Sequence, residues 1–509
     1  MQDAPTTAAD VHGSTHTHAH SGGQPAGGSH DAPSALISSA ATRAPIIGSW
    51  RAWAELLRIS NLPTILGDCA VGLCIATASY SLWKGPAEAM DLLRGNPWLV
   101  GGVCMGMCML YLGGMVLNGI LDRHVDAVER PGRPIPSGRI PLRAAWTVAV
   151  MLILGGLWPS SLGRVPVPEI AAATVAIWLS AYAKRSANPT LALLARGWMA
   201  IAVIAAIWWM AVPLVTPIGS DVAEDLTEST LAQTQLGMRL TYAPALLIAV
   251  SAIAYNLVHT RTAWSVALMA LCRALVPVSV AMAALAPSGI FGQVRATWIA
   301  SGRIPTDLIF LVATPAIALM LHTLALSLAA RREVDASGPK ACSACGHTLA
   351  PGTSPARCSE CGTDLAASPP SVPPAPEARA MGIVGTVGAT ALLVGVAILT
   401  PRLTASGWRI GAMANAQDTW FGIPKSPMTL AVLATVAIPL ALYLAVALRG
   451  YAVASGHLTR RPAGIARLVA AIALCDAAAC WALGFPLIGT VCIGIYAITR
   501  LLQRVVPAS

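Results

Sequence analysis

Long apolar runs separated by short polar loops dominate this chain. Apolar segments stand near 52–80, 98–117, 142–161, 166–183, 197–216, 242–258, 264–286, 307–330, 380–400, 427–447, 464–482 and 484–500. They do not alternate with the period of two that a membrane β-barrel requires. Most approach the roughly 17–25 residues of a membrane-spanning helix. The pattern predicts an all-α polytopic transmembrane bundle of about 9–12 helices. Residues 1–45 are rich in Ala, Gly, Ser and Thr and carry His12, His16, His18, His20 and His30. They read as a disordered tail, either simply solvated or binding metal weakly through its histidines. Residues 46–333 form the first part of the membrane domain and 380–509 the second. Between them, 334–379 is a soluble insertion ending in the Pro-rich stretch SPPSVPPAPEA.

Composition agrees with this reading. The 509 residues are 55% hydrophobic and 11% charged, with mean hydropathy +0.65, against about 25% charged in a soluble domain. The many small residues suit close helix packing in lipid. The net charge of +10 is a bias of basic loops to the cytoplasmic side, not a nucleic-acid surface. With the N-terminus in the cytoplasm, Arg123 to Arg139, Lys184 and Arg185, Arg331 and Arg332, and Arg460 and Arg461 all fall inside. The acidic loop with Asp221, Glu224, Asp225 and Glu228 falls outside. The expectation is an integral protein of the cytoplasmic (inner) membrane. No short apolar core with a small-residue cleavage site stands in the first 45 residues, so no cleaved signal peptide is expected.

The candidate chemistry lies where the second apolar run ends. NGILDRHVD places Asn118, Asp122 and Asp126 at a spacing of four, on one helical face. Two carboxylates and an amide at a membrane boundary suit Mg²⁺, which takes one or two carboxylates together with substrate phosphates. AVERPGRPIPSGRI follows, with Arg130, Arg133 and Arg139. Guanidinium groups match phosphate oxygens, and the prolines stiffen the turn. An acidic pair and a basic loop are also what a solvated helix end looks like. Asp68 and Asp476 lie inside apolar runs, where a carboxylate is costly. Asp68, roughly on one face with Asn61 and Thr64, either lines a cavity or packs as a protonated, hydrogen-bonded group. Asp476 reads as the second kind.

The stretch NGILDRHVDAVERPGRPIPSGRI resembles the first aspartate-rich motif of the UbiA superfamily of membrane prenyltransferases, N-x-x-x-D-x-x-x-D followed by a basic P-S-G-R/K segment. RISNLPTILGD, residues 58–68, is similar to the family's first-helix motif and supplies Arg58, Asn61 and Thr64 near the substrate pocket. The resemblance runs, more weakly, from about residue 50 to the C-terminus. It implies a helical bundle around a lipid-accessible cavity. It also implies transfer of a prenyl group from a polyprenyl diphosphate to a hydrophobic, usually aromatic, acceptor. Mg²⁺ would bridge the diphosphate to Asp122 and Asp126. The family's second acidic motif, often D-x-x-x-D, is not intact. Its nearest counterpart is ARREVD, with Glu333 and Asp335 two apart. That end, and YNLVHTRTAWSVALMALCRAL with Tyr255, Asn256, Cys272 and Arg273, resemble a divergent branch that includes EboC-type proteins. YAKRSANPTLALLARGW, residues 182–198, loosely echoes the latter stretch. Of the two, 255–275 is favoured for the family position, which makes Tyr255 and Arg273 substrate-binding candidates.

Of twelve cysteines, eight lie in or beside apolar segments and read as small core residues. The other four, Cys342, Cys345, Cys358 and Cys361, form C-x₂-C-x₁₂-C-x₂-C within the insertion. This spacing predicts a cytoplasmic zinc ribbon. Four thiolates would close the Zn²⁺ shell, so the site would be structural. A non-catalytic lipid-binding or transport protein that kept the same fold is the alternative reading of the whole chain.

Overall fold

The computed structural model describes residues 49–84, 92, 97–161, 190, 193–194, 197–198, 201, 226–258, 265–292, 294, 306–336, 376–403, 419–420, 423–424, 427–455 and 461–506. All fall in the compact unit Ala44–Ser509. The His-rich tail, the apolar run 166–183, most of 197–216 and the cysteine insertion lie outside the described residues.

The described helices are α1 (Trp50–Leu56), α2 (Leu62–Lys84), α3 (Pro97–Leu121), α4 (Arg123–Glu129), α5 (Leu142–Leu157) and α6 (Leu226–Val258). They continue with α7 (Ser265–Leu285), α8 (Thr306–Ala336), α9 (Pro376–Leu403), α10 (Pro427–Ala454), α11 (Arg461–Ala482) and α12 (Pro486–Val505). Among these residues eight helices are long and apolar enough to cross a membrane. Two shorter apolar stretches, Leu142–Leu157 and Leu240–Asn256, answer to two more of the predicted segments. The pure α expectation needs one small amendment. Thr419–Trp420 pairs antiparallel with Ile423–Pro424 in the loop before α10.

The pattern of burial places the centre. The spans in α2 and α11 are each 72% buried, whereas that in α12 is 17% buried. α2 and α11 are therefore wrapped by other helices. α12 packs on them with one side and turns Leu487, Val491, Ile498, Leu501 and Val505 outward. In lipid this outward apolar face is the expected one. α7 packs against α2, α6 and α8. α3 crosses α5 where two glycines meet. A Cβ on Gly106 would stand 2.6 Å from the Gly156 carbonyl oxygen, and one on Gly156 2.8 Å from that of Gly106. Small residues thus let these two backbones touch.

A buried polar pair joins α8 to α10 and α11. His322 Nε2 lies 3.1 Å from the Leu468 carbonyl and Nδ1 lies 2.9 Å from the Tyr443 hydroxyl. A carbonyl only accepts, so Nε2 carries the proton and Tyr443 donates to Nδ1.

One predicted single run is broken. The 52–80 segment divides into α1, a single 3₁₀ turn over Ile59–Asn61, and α2. The break falls at Arg58, whose backbone is left-handed at φ 50°. That conformation costs an L-residue free energy and ends the preceding helix. Past the end of the 98–117 run, a bend at Asp122 separates α3 from α4.

Candidate functional site

The acidic face survives the bend. Asp122 N–H donates to the Asn118 carbonyl at 2.9 Å, Asp126 N–H to that of Asp122 at 2.8 Å, and Arg130 N–H to that of Asp126 at 2.8 Å. The four-residue ladder is continuous, so the three predicted side chains stay in series along one side. Asp122 and Asp126 are buried.

The basic loop then folds back on this face. Arg133 Nη1 reaches both carboxylate oxygens of Asp126, at 2.8 and 2.7 Å. Arg139 Nη1 pairs with Glu55 Oε2 of α1 at 2.7 Å, and its Nη2 donates to the Gly132 carbonyl at 2.6 Å. Ser137 Oγ donates to the Arg133 carbonyl at 2.6 Å. The turn closes at Gly138, with φ 73°, a value that glycine adopts without strain. Arg139 thus anchors the loop to α1, while Arg133 covers Asp126.

Together these parts enclose a pocket lined by Glu55, Arg58, Met115, Asn118, Asp126 and Arg133. Its cavity of about 30 Å³ holds little more than a water molecule. Burial lowers Arg58 from the ordinary arginine value, Tyr111 and Tyr255 oppose that, and Arg133 and Arg130 add to it. Arg133, which lines the pocket with Arg58, and Arg130 beyond it thus add positive field at Arg58. An anion is the species that relieves such a field.

Asn61 and Thr64 start α2 beside this mouth. The Thr64 hydroxyl donates to the Asn61 carbonyl at 2.7 Å, so it stabilises the helix start. The Asn61 side chain is held from the last turn of α12. Gln503 Nε2 donates to Asn61 Oδ1 at 3.4 Å and to the Ala466 carbonyl at 3.0 Å, while Arg500 Nη1 donates to Gln503 Oε1 at 2.7 Å. Asp68 and Arg273 lie deeper in the bundle and pair with each other, with Arg273 Nε 2.6 Å from Asp68 Oδ2. Tyr255 is half-buried near the mouth, within the field of Arg58.

Of the predicted residues, the pocket brings Arg58, Asn118, Asp126 and Arg133 together, with Asp122 one turn from Asp126. Arg130 caps α4 beside it. Glu333 and Asp335 belong to the end of α8, and their side chains lie outside the described residues, as do Cys342, Cys345, Cys358 and Cys361. Glu55, Met115, Tyr111 and Gln503 were not singled out from the sequence. The pair Arg500 and Gln503, polar positions one turn apart in an apolar helix, is a signal that could have pointed to the last.

Among the described residues no group of three or more His, Cys, Asp or Glu side chains is placed to hold a metal by itself. Mg²⁺ does not need one. Two carboxylates and an amide oxygen can complete its shell with phosphate oxygens and water, and Asn118, Asp122 and Asp126 could supply that hard-oxygen set.

Comparison with known proteins agrees with this geometry. Residues 69–232 match the model of the UbiA prenyltransferase family. The chain is 33% identical over 119 residues to the digeranylgeranylglyceryl phosphate synthase of Sulfolobus acidocaldarius, covering 23% of this chain and 38% of that protein. It is 40% identical over 82 residues to the bacteriochlorophyll synthase 33 kDa chain of Cereibacter sphaeroides, covering 16% and 24%. It is 27% identical over 109 residues to the protoheme IX farnesyltransferase of Shewanella amazonensis, covering 21% and 32%. The chain therefore spans well under half the length of each of these relatives. No solved structure matches it.

Proposed function

We propose that this protein is a Mg²⁺-dependent membrane prenyltransferase, taking a prenyl group from a polyprenyl diphosphate and passing it to a hydrophobic acceptor. The carrying observation is one pocket, at the end of an apolar helix, that joins Asp126 and Asn118 to Arg58 and Arg133. The matched family region and the relatives' names support the same reading. Those names carry different acceptors, and prenyl transfer is what they share.

In this reading Asn118, Asp122 and Asp126 hold Mg²⁺. When bound, the metal neutralises charge on the diphosphate leaving group. Arg58, Arg130 and Arg133 bind and orient the phosphates. Asn61 is held in place by Gln503 to contact the substrate, and Tyr255 and Arg273 line the way inward. Apolar side chains such as Met115 exclude water from the allylic carbon as its bond to oxygen breaks. Glu333 and Asp335 would form a second acidic pair at the end of α8, an end that resembles the divergent, EboC-like branch. The soluble loops 118–140 and 334–379, and the N-terminus, would face the cytoplasm.

The test uses the full chain in lipid nanodiscs with geranylgeranyl diphosphate and a membrane lipid extract as acceptor. Diphosphate release that requires Mg²⁺ and stops on chelation is the expected result. Tight binding of the lipid without turnover would favour a carrier instead. The cysteine insertion, read as a zinc ribbon, makes a separate prediction. Purified protein should carry one zinc per chain by elemental analysis, and Cys342→Ser should lose it. Wild type free of zinc would refute the ribbon.

A further inference from the structure

Three charged side chains meet inside the bundle, away from the pocket. Asp68 comes from α2, Arg273 from α7 and Asp476 from α11. Asp68 and Asp476 are 0% and 1% exposed, and the Arg273 side chain keeps 10%. Arg273 Nε pairs with Asp68 Oδ2 at 2.6 Å. The carboxyl groups of Asp68 and Asp476 lie within hydrogen-bonding reach of each other. Two carboxyls against one guanidinium reach neutrality only when the carboxyl pair shares a proton. The cluster then offers both donors and acceptors, with no net charge.

These groups do not satisfy one another. Arg273 Nη2 is buried with no hydrogen-bond partner, and one proton shared by two carboxyls leaves them with acceptor capacity to spare, Asp68 Oδ1 included. Buried polar atoms in native proteins are nearly always hydrogen-bonded, and each exception needs an explanation. The surrounding backbone is arranged for the cluster. A Cβ on Gly67 would come 2.5 Å from Asp476 Oδ2, so glycine is what admits that carboxyl against α2. Pro277 lacks the N–H that would serve the Arg273 carbonyl in the helix, which leaves α7 more polar at the same turn.

The cluster also communicates with the mouth. Tyr111 on α3 lies in the fields of both Arg58 and Arg273, and hydrogen-bonds with the side chain of Asn61. Asp68, on α2, stands seven residues past Asn61, about 10 Å further along the chain's helical axis. Polar groups thus descend one side of α2 from the diphosphate end to Asp476.

We propose that Asp68, Arg273 and Asp476 form a binding site for a neutral hydroxyl or carbonyl group of the hydrophobic acceptor. A hydroxyl would donate to Asp68 Oδ1 and accept from Arg273 Nη2–H. A carbonyl would accept from Arg273 Nη2–H. Phosphate would meet two carboxyls, and a cation would meet the guanidinium, so the neutral cluster selects a neutral polar group. The ligand's role as acceptor rests on the prenyl-transfer reading above, whereas the site itself does not.

The experiment uses the full chain in phosphatidylcholine nanodiscs and two photoreactive probes. One is hexadecanol with a diazirine near its hydroxyl end, and the other is the matching hexadecane. The alcohol probe should label residues 62–84, 265–285 and 461–482 about ten-fold more than the alkane, the value of one good hydrogen bond to a charged group. Unlabelled hexadecanol should compete and hexadecane should not. Asp476→Asn and Asp68→Asn keep the shape and should each remove most of the difference. Equal labelling of the wild type by both probes would overturn the proposal without any variant. So would full alcohol-selective labelling in both variants. Binding of Mg²⁺-pyrophosphate, measured on the same samples by calorimetry, reads the pocket separately. Its loss with labelling intact would count against the transfer reading alone.

Discussion

Asp126→Asn should leave the protein folded in the membrane while Mg²⁺-dependent diphosphate release falls by about a thousand-fold or more. Asparagine keeps the size and the hydrogen-bonding plane of the side chain but removes its charge. At this position charge is what matters. Asp126 and Glu55 are the carboxylates lining the pocket, and Glu55 is already engaged by Arg139 at 2.7 Å. In the proposed metal site the amide would therefore leave Asn118 and Asp122 as the remaining oxygen ligands, without the second carboxylate. Asp122→Asn should act in the same direction. Steady-state diphosphate release, alongside size-exclusion profiles to confirm folding, checks the expectation. Undiminished turnover in both variants would mean that the metal is held elsewhere.

The residues of this site differ in how far the sequence exposed them. Asn118, Asp122 and Asp126 were legible because a helix repeats every 3.6 residues, so a spacing of four survives even a bend at Asp122. The apolar segments were legible for a similar reason, since membrane thickness sets their length. The partners of the basic loop were not. Arg139 meets Glu55 across a chain reversal that no local pattern encodes, and only the folded loop places Arg133 on Asp126 rather than in solvent. The left-handed backbone of Arg58 likewise divides what reads as one apolar run. Asp476 shows the same limit more sharply. In isolation it reads as a packing residue. Its pairing with Asp68 joins α2 to α11 across most of the chain, and that proximity is a product of tertiary packing. The thiolate spacing in the insertion, by contrast, is a purely local signal.

Arg133→Gln should move two affinities in opposite directions. In the resting protein Arg133 Nη1 holds both oxygens of Asp126, at 2.8 and 2.7 Å. A divalent cation reaching Asp126 must displace that guanidinium, and the displaced guanidinium is then available to a phosphate oxygen. Each ligand thus offsets part of the other's cost of entry. Mg²⁺ and pyrophosphate should bind the wild type weakly alone and about ten- to a hundred-fold more tightly together, a coupling of about 1–3 kcal/mol. Glutamine removes the competing charge from Asp126 and the attracting charge from the phosphate. Mg²⁺ alone should then bind several-fold more tightly, by roughly the fraction of the ion pair it no longer breaks. Pyrophosphate should bind the Mg²⁺-loaded variant about ten-fold or more weakly, as for the loss of one charge-assisted hydrogen bond. Titration calorimetry of the full chain in nanodiscs, with each ligand alone and then with the other saturating, measures all four affinities. Unchanged or weakened Mg²⁺ binding in Arg133→Gln would show that the ion pair does not guard Asp126. Loss of the coupling in the variant, together with tighter Mg²⁺ binding, would place Arg133 between the two ligands as the group whose change of partner links them.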